Sequence, residues 1–160
     1  MDAVLEILER DAKATVEEIA RLTRLKKQEV QKRIRKYEKE GIILCYKAVI
    51  NKELVKDGSY VEALIEVRVI PQKDQGFDKI AQRIYSFDEV ISCYLLSGTY
   101  DLLLVVKGKD LHTVANFVAE KLAPMENVRG TTTHFLLKTY KEDGIVLQQK
   151  DERKRIAISY

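Results

Sequence analysis

The feature that most limits what this chain can fold into is a change of hydrophobic rhythm near residue 50. Before it, apolar residues recur at helical spacing. Val4, Leu5 and Leu8 share one face of a helix over 2–10, and Val16, Ile19 and Ala20 belong to a second helix. Val30, Ile34 and Tyr37 fall at i, i+4 and i+7 of a third, from about Lys26 to Lys39. After it, stretches with a period of two appear. Ala63, Ile65, Val67 and Val69 alternate with Glu62, Glu66 and Arg68, the pattern of a half-buried strand over Tyr60–Ile70. An all-helical stretch followed by one with strands leads us to expect two domains.

The local signals agree. Thr15-Val16-Glu17-Glu18 is a capping box, in which the hydroxyl accepts from a backbone N–H three residues on and Glu18 reaches back. A tight turn over Thr23–Leu25 leads into the third helix, which Gly41 ends. Ile42–Ile50 reads as a strand, so residues 1–51 suggest a winged-type helix-turn-helix. Residues 52–59 are polar, end in Asp-Gly-Ser and read as a linker. Pro71 to Gly76 breaks the first strand of the second domain. Phe77, Ile80, Ala81 and Ile84 mark a helix, Val90–Leu96 and Asp101–Val106 two strands, and Leu111 to Leu122 a helix stopped by Pro124. Val128–Tyr140 is a last long strand. The class is α+β, with the order βαββαβ over 60–140 giving a ferredoxin-like antiparallel sheet with both helices on one face. The other face stays open and suits dimerisation. Residues 141–160 form a C-terminal extension, in which Ile145–Leu147 and Ile156–Ile158 flank a charged stretch, compatible with a strand pair or an exchanged arm.

Charge is informative only locally. The chain has 160 residues, 28 Lys and Arg against 25 Asp and Glu, and a net charge of +3. Yet Arg24 to Lys39 holds eight cations against Glu29 and Glu38 alone. Gln28, Lys32, Arg35 and Lys39 point away from Val30, Ile34 and Tyr37. Amides can pair with adenine edges, and cations with phosphates or guanine. The candidate DNA-binding residues are therefore Lys26, Lys27, Gln28, Gln31, Lys32, Arg35, Lys36 and Lys39. An isolated basic helix is more often merely solvated; the capped helix and tight turn before this one favour double-stranded DNA.

Other chemistry finds little support. Cys45 and Cys93 are far apart, which fits a reducing compartment and no disulfide framework. His112 and His134 have no partners at zinc spacing. P-loop, Rossmann and nucleophile-elbow patterns are missing, so we expect no enzyme, metal or cofactor. Without a signal peptide or an apolar span, the chain reads as soluble and cytoplasmic, with no membrane partner.

Three segments resemble the Lrp/AsnC (feast/famine) regulators. These are TVEEIARLTRLKKQEVQKRIRKYEKEGIILCYKAVIN, SGTYDLLLVVKGKDLHTVANFV and NVRGTTTHFLL. The resemblance covers roughly residues 3–140, and its most specific parts are the run Arg33–Ile43 and the turn Gly98-Thr99-Tyr100-Asp101. It implies operator binding by the helix-turn-helix, a homodimer through the βαββαβ domain, and further assembly into tetramers or octamers. It also implies an amino-acid effector in clefts between those domains, near the hairpin turn. Thr131 and Thr133, two apart on the final strand, match positions that approach the ligand. Taken alone, Gly98–Asp101 is a hairpin turn and the threonines are ordinary sheet residues. The chemistry adds that a glycine turn exposes N–H donors for a carboxylate, while Asp101 either accepts from an ammonium or only braces the turn.

One departure stands out. The family usually has Gly-Leu-Ser before the recognition helix, where this chain has Arg24-Leu25-Lys26. Lysine cannot cap, so we expect a frayed start or a cap from Thr23. Two other functions stay open at this point: a low-specificity architectural DNA-binding protein, and a tetrapyrrole decarboxylase of similar fold.

Overall fold

The computed structural model describes residues 1–55, 60–71 and 76–147. The chain divides into two compact units, Met1–Ile50 and Asn51–Tyr160.

The first unit holds α1 (Ala3–Arg10), α2 (Val16–Thr23) and α3 (Lys27–Lys39). Each start has a physical cause, save one. Asp2 caps α1 by accepting from the Val4 N–H at 2.8 Å. The Thr15 box forms as expected: the hydroxyl accepts from Glu18 N at 3.2 Å, and Glu18 accepts from Thr15 N at 2.8 Å. α3 starts at Lys26 with no side-chain cap. Thr23 does not supply one; its hydroxyl is turned back along α2 and donates to the Ile19 carbonyl at 2.7 Å. Nor is the start frayed, since Glu29 N and Val30 N both bond to the Lys26 carbonyl, at 2.9 and 3.1 Å. The turn between α2 and α3 passes through Arg24, in the left-handed region at φ 58°. Val4, Leu8, Ile19, Ala20 and Val30 make the core, each large side chain contributing about 1.5–3 kcal/mol on burial.

The strand expected over Ile42–Ile50 does not form. A strand requires a neighbour to bond, and this segment finds none among the described residues. Ile43 packs against the core, but most of the segment's apolar side chains stay in solvent, with Leu44 86% exposed.

The second unit opens with a 3₁₀ turn, Lys52–Leu54, inside the stretch read as a linker. Then come β1 (Val61–Val69), α4 (Asp78–Tyr85), β2 (Val90–Leu95), β3 (Leu102–Gly108), α5 (Leu111–Asn116), a π-helical turn Phe117–Leu122 and β4 (Val128–Phe135). The four strands form one antiparallel sheet in the order β2-β3-β1-β4. This is the expected ferredoxin-like topology. Opposite residues of an antiparallel pair share a face, so register fixes the two sides. Ile65 pairs with Leu104 and Thr133, and Val67 with Leu102 and Thr131, on the side the helices cover. Gly108 is needed where α5 crosses that side, because a Cβ there would sit 2.8 Å from Val114 Cγ2.

The other side carries Leu64, Leu103 and Val105, all half-buried, beside Tyr94 at 51% exposure. Glu66 and His134 also lie there, 3.3 Å apart. β4 ends at Phe135, short of the expected Tyr140. Beyond it Lys141–Glu142 and Ile145–Val146 form a two-stranded hairpin, β5 and β6, turning at Asp143-Gly144. The strand pair is therefore local, and the expected Ile156–Ile158 partner lies outside the described residues, as do parts of the predicted linker (56–59) and the loop after Pro71 (72–75).

Candidate nucleic-acid interface and effector site

α3 is anchored by Val30, fully buried, with Ile34 and Tyr37 half-buried behind it. At about 100° per residue, Gln28, Lys32, Arg35 and Lys39 fall on the far side of the cylinder. All eight candidate DNA-binding residues, Lys26, Lys27, Gln28, Gln31, Lys32, Arg35, Lys36 and Lys39, are exposed.

Ion pairs sort these cations. Lys27 lies only about 60° round from Val30 and turns to Glu17 of α2, Nζ to Oε1 2.9 Å. Lys36 faces Glu40 at 3.9 Å. Lys26, Lys32, Arg35 and Lys39 make no ion pair among the described residues. Lys32, Arg35 and Lys39 form a cationic stripe with Gln28 and Gln31 near its N-terminal end, while Lys26 stands at the helix start. Arg33 is different and was only one of the counted charges in the sequence. Its guanidinium donates to Glu29 Oε1 at 3.0 Å and to Asp2 Oδ2 at 2.7 Å. The Glu29–Arg33 spacing is a helix signal that could have been read; the Asp2 contact, 31 residues away, could not. Burial works against the Asp2 charge, but the Val4 N–H, the Tyr37 hydroxyl and Arg33 outweigh it and hold the carboxyl below its ordinary value.

In the second unit, Gly98, Thr99, Tyr100 and Asp101 form the bend between β2 and β3. Leu96 N donates to the Asp101 carbonyl at 2.8 Å, and Asp101 N to the Val67 carbonyl at 3.1 Å. The Asp101 carboxylate accepts from Val69 N at 2.8 Å, at the bulge where β1 slips against β4. Asp101 therefore braces the turn. The backbone N–H groups of Ser97 to Tyr100 have no acceptor among the described residues. Val67 pairs with both Leu102 and Thr131, so the turn and Thr131 meet at one end of the sheet, with β1 between them. Thr133 lies one pleat further along, opposite Ile65.

The match to known families follows these two units. Residues 3–43 match the winged helix-turn-helix DNA-binding model. Residues 62–146 match the Lrp/AsnC ligand binding domain. The chain is 45% identical over 156 residues to the uncharacterized HTH-type transcriptional regulator YugG of Bacillus subtilis, covering 98% of this chain and 94% of that protein. It is 29% identical over 139 residues to the HTH-type transcriptional regulator FL11 of Pyrococcus furiosus, covering 87% and 88%. Among solved structures, a feast or famine regulatory protein of Mycobacterium tuberculosis complexed with L-methionine superposes with a TM-score of 0.72 at 27% identity, covering 91% and 95%. A Neisseria meningitidis transcriptional regulator in complex with L-methionine gives 0.69 at 27%, covering 88% and 89%. A helix-turn-helix joined to a ligand-binding βαββαβ unit defines the class. The chain belongs to the Lrp/AsnC family.

Proposed function

We propose that this protein is a sequence-specific, DNA-binding transcription regulator whose affinity for DNA is modulated by an amino acid or related small molecule. The observation that carries this reading is the exposed stripe on α3, with three cations that make no ion pair among the described residues beside two amides, on a helix whose opposite side is buried. The relatives' names as HTH-type transcriptional regulators support it.

The far side of α3 enters the major groove, with Gln28 and Gln31 meeting base edges and Lys32, Arg35, Lys36 and Lys39 meeting phosphates or guanine. Lys26 and Lys27 lie at the N-terminal end, where a phosphate can also take the helix dipole. One such helix binds weakly, so two copies join through the open sheet face around Leu64, Leu103 and Val105. Further assembly of dimers builds the effector clefts. There the unpartnered N–H groups of Ser97 to Tyr100 take the effector carboxylate, and Thr131 and Thr133 line the approach. Gly98 leaves open space where a side chain would stand. Asp101 holds the turn's shape. The family and these names point to a regulator, with no reaction to catalyse, and no helix among the described residues is long and apolar enough to cross a membrane.

The test is fluorescence anisotropy on the gene's own upstream region and on a scrambled copy, over a salt series, with and without a pool of the twenty amino acids. Preference for the native fragment, a steep salt slope and a shift with the pool are expected. Equal, tight binding to both fragments would replace this reading with an architectural one.

A further inference from the structure

A groove of about 500 Å³ opens on the helix side of the second unit, between the end of α4 and the π-helical turn. Its apolar lining is Phe87, Met125 and Pro124. Met125 is buried and Phe87 half-buried, with the Phe87 ring set edge-on to Phe117 at 5.6 Å. Two charges of opposite sign stand over this floor, Arg83 on α4 and Glu120 on the π-turn. Each is exposed, and neither makes an ion pair with the other or with any described residue. Their neighbours are satisfied. Lys121, also on the rim, is neutralised by Glu89. The Ser86 hydroxyl donates to the Arg83 carbonyl at 2.8 Å.

The wall that presents Glu120 is itself unusual. The helix widens over Phe117–Leu122 and closes with Ala123 N bonded to the Val118 carbonyl at 2.8 Å, five residues back. Such π-turns are rare and concentrate at functional sites. Here the widened turn carries Glu120, which lines the groove together with Arg83 and the apolar side chains.

We infer that this groove binds a small zwitterion with an apolar side chain. Arg83 takes the carboxylate, Glu120 the ammonium, and Phe87, Pro124 and Met125 the side chain. The site is separate from the turn at Gly98–Asp101 and does not depend on the DNA-binding reading.

Met1 and Met125 are the only methionines, so methyl-¹³C-methionine labelling of the whole protein gives one reporter on the groove floor. L-leucine, L-methionine and L-phenylalanine are each titrated, beside leucine amide and N-acetyl-leucine, which lack one charge apiece. A saturable shift of the Met125 methyl with at least one free amino acid, and none with its blocked forms, is expected. Arg83→Gln and Glu120→Gln should each weaken that binding about tenfold or more, the order of a lost charge-assisted hydrogen bond. Both are surface changes, checked for folding by the unchanged signals of the sheet. Thr131→Val, at the other site, should leave the Met125 titration as it was. No Met125 shift with any of the three amino acids, or a shift that both variants retain, overturns the proposal. A protein that moves Met125 yet shows no preference for its own upstream DNA keeps this site and loses the regulator reading.

Discussion

The Arg33 guanidinium on α3 lies 2.7 Å from Oδ2 of Asp2, whose other oxygen caps α1 through the Val4 N–H. One carboxylate thus starts the first helix and holds the third. Its carboxyl titrates below its ordinary value near 3.9. A depressed folded value means the stabilisation is present above the unfolded value and is lost as pH falls through the folded one. Asp2→Asn keeps a good cap but loses the charge facing Arg33. We expect a loss of up to about 1 kcal/mol at neutral pH, as for a partly exposed pair, and a flatter fall in stability below pH 4. Thermal unfolding from pH 3 to 7 measures both. An acid limb identical to that of the wild type would remove Asp2 from it.

Arg24 holds a left-handed conformation that suits glycine, and Lys26 starts α3 uncapped. Arg24→Gly should stabilise the protein by about 1 kcal/mol, and Lys26→Ser by about the same through a restored cap. If a phosphate lies at that helix end, Lys26→Ser also weakens DNA binding and lowers the salt slope by about one. A more stable variant with unchanged DNA affinity would rule out the phosphate contact.

Gly108→Ala forces a methyl into Val114, which is fully buried and cannot withdraw. A loss of about 1–3 kcal/mol is expected in denaturant unfolding. An unchanged midpoint would show that α5 can shift outward without cost.

Leu103 sits at the centre of the open sheet face, opposite Tyr94 and Glu66. Leu103→Lys should leave the fold intact and convert dimers to monomers in sedimentation velocity. A Leu103→Lys protein that remains a dimer would place the two-fold contact elsewhere.

The legible parts of this chain are those set by local spacing. The capping box at Thr15 and the buried stripe through Val30 follow from residues three or four apart. The alternation of Ala63 to Val69 follows in the same way, and the order of elements gives the ferredoxin-like topology. What the sequence did not disclose depends on partners distant along the chain. Ile42–Ile50 has the composition of a strand, yet composition supplies no neighbour for its backbone. Thr23 offers a hydroxyl shortly before α3, but that hydroxyl is turned back along α2 to the Ile19 carbonyl. Arg33 counts as one more cation until Asp2 is brought beside it. The Asp101 carboxylate had two readings from the residues alone, and its bond from the Val69 N–H, 32 residues away, is one that spacing does not reveal. The widening of the helix at Phe117 left no mark in the apolar periodicity.

The most direct test of the central claim is a hydroxyl-radical footprint on the gene's own upstream region, with the wild type and with Gln28→Ala/Gln31→Ala. A regulator reading two half-sites predicts discrete protected patches spaced by about one helical turn, 10–10.5 base pairs, or its multiples, and the double substitution should erase their sequence preference. Even protection along the whole fragment, or a pattern indifferent to the two glutamines, would contradict it.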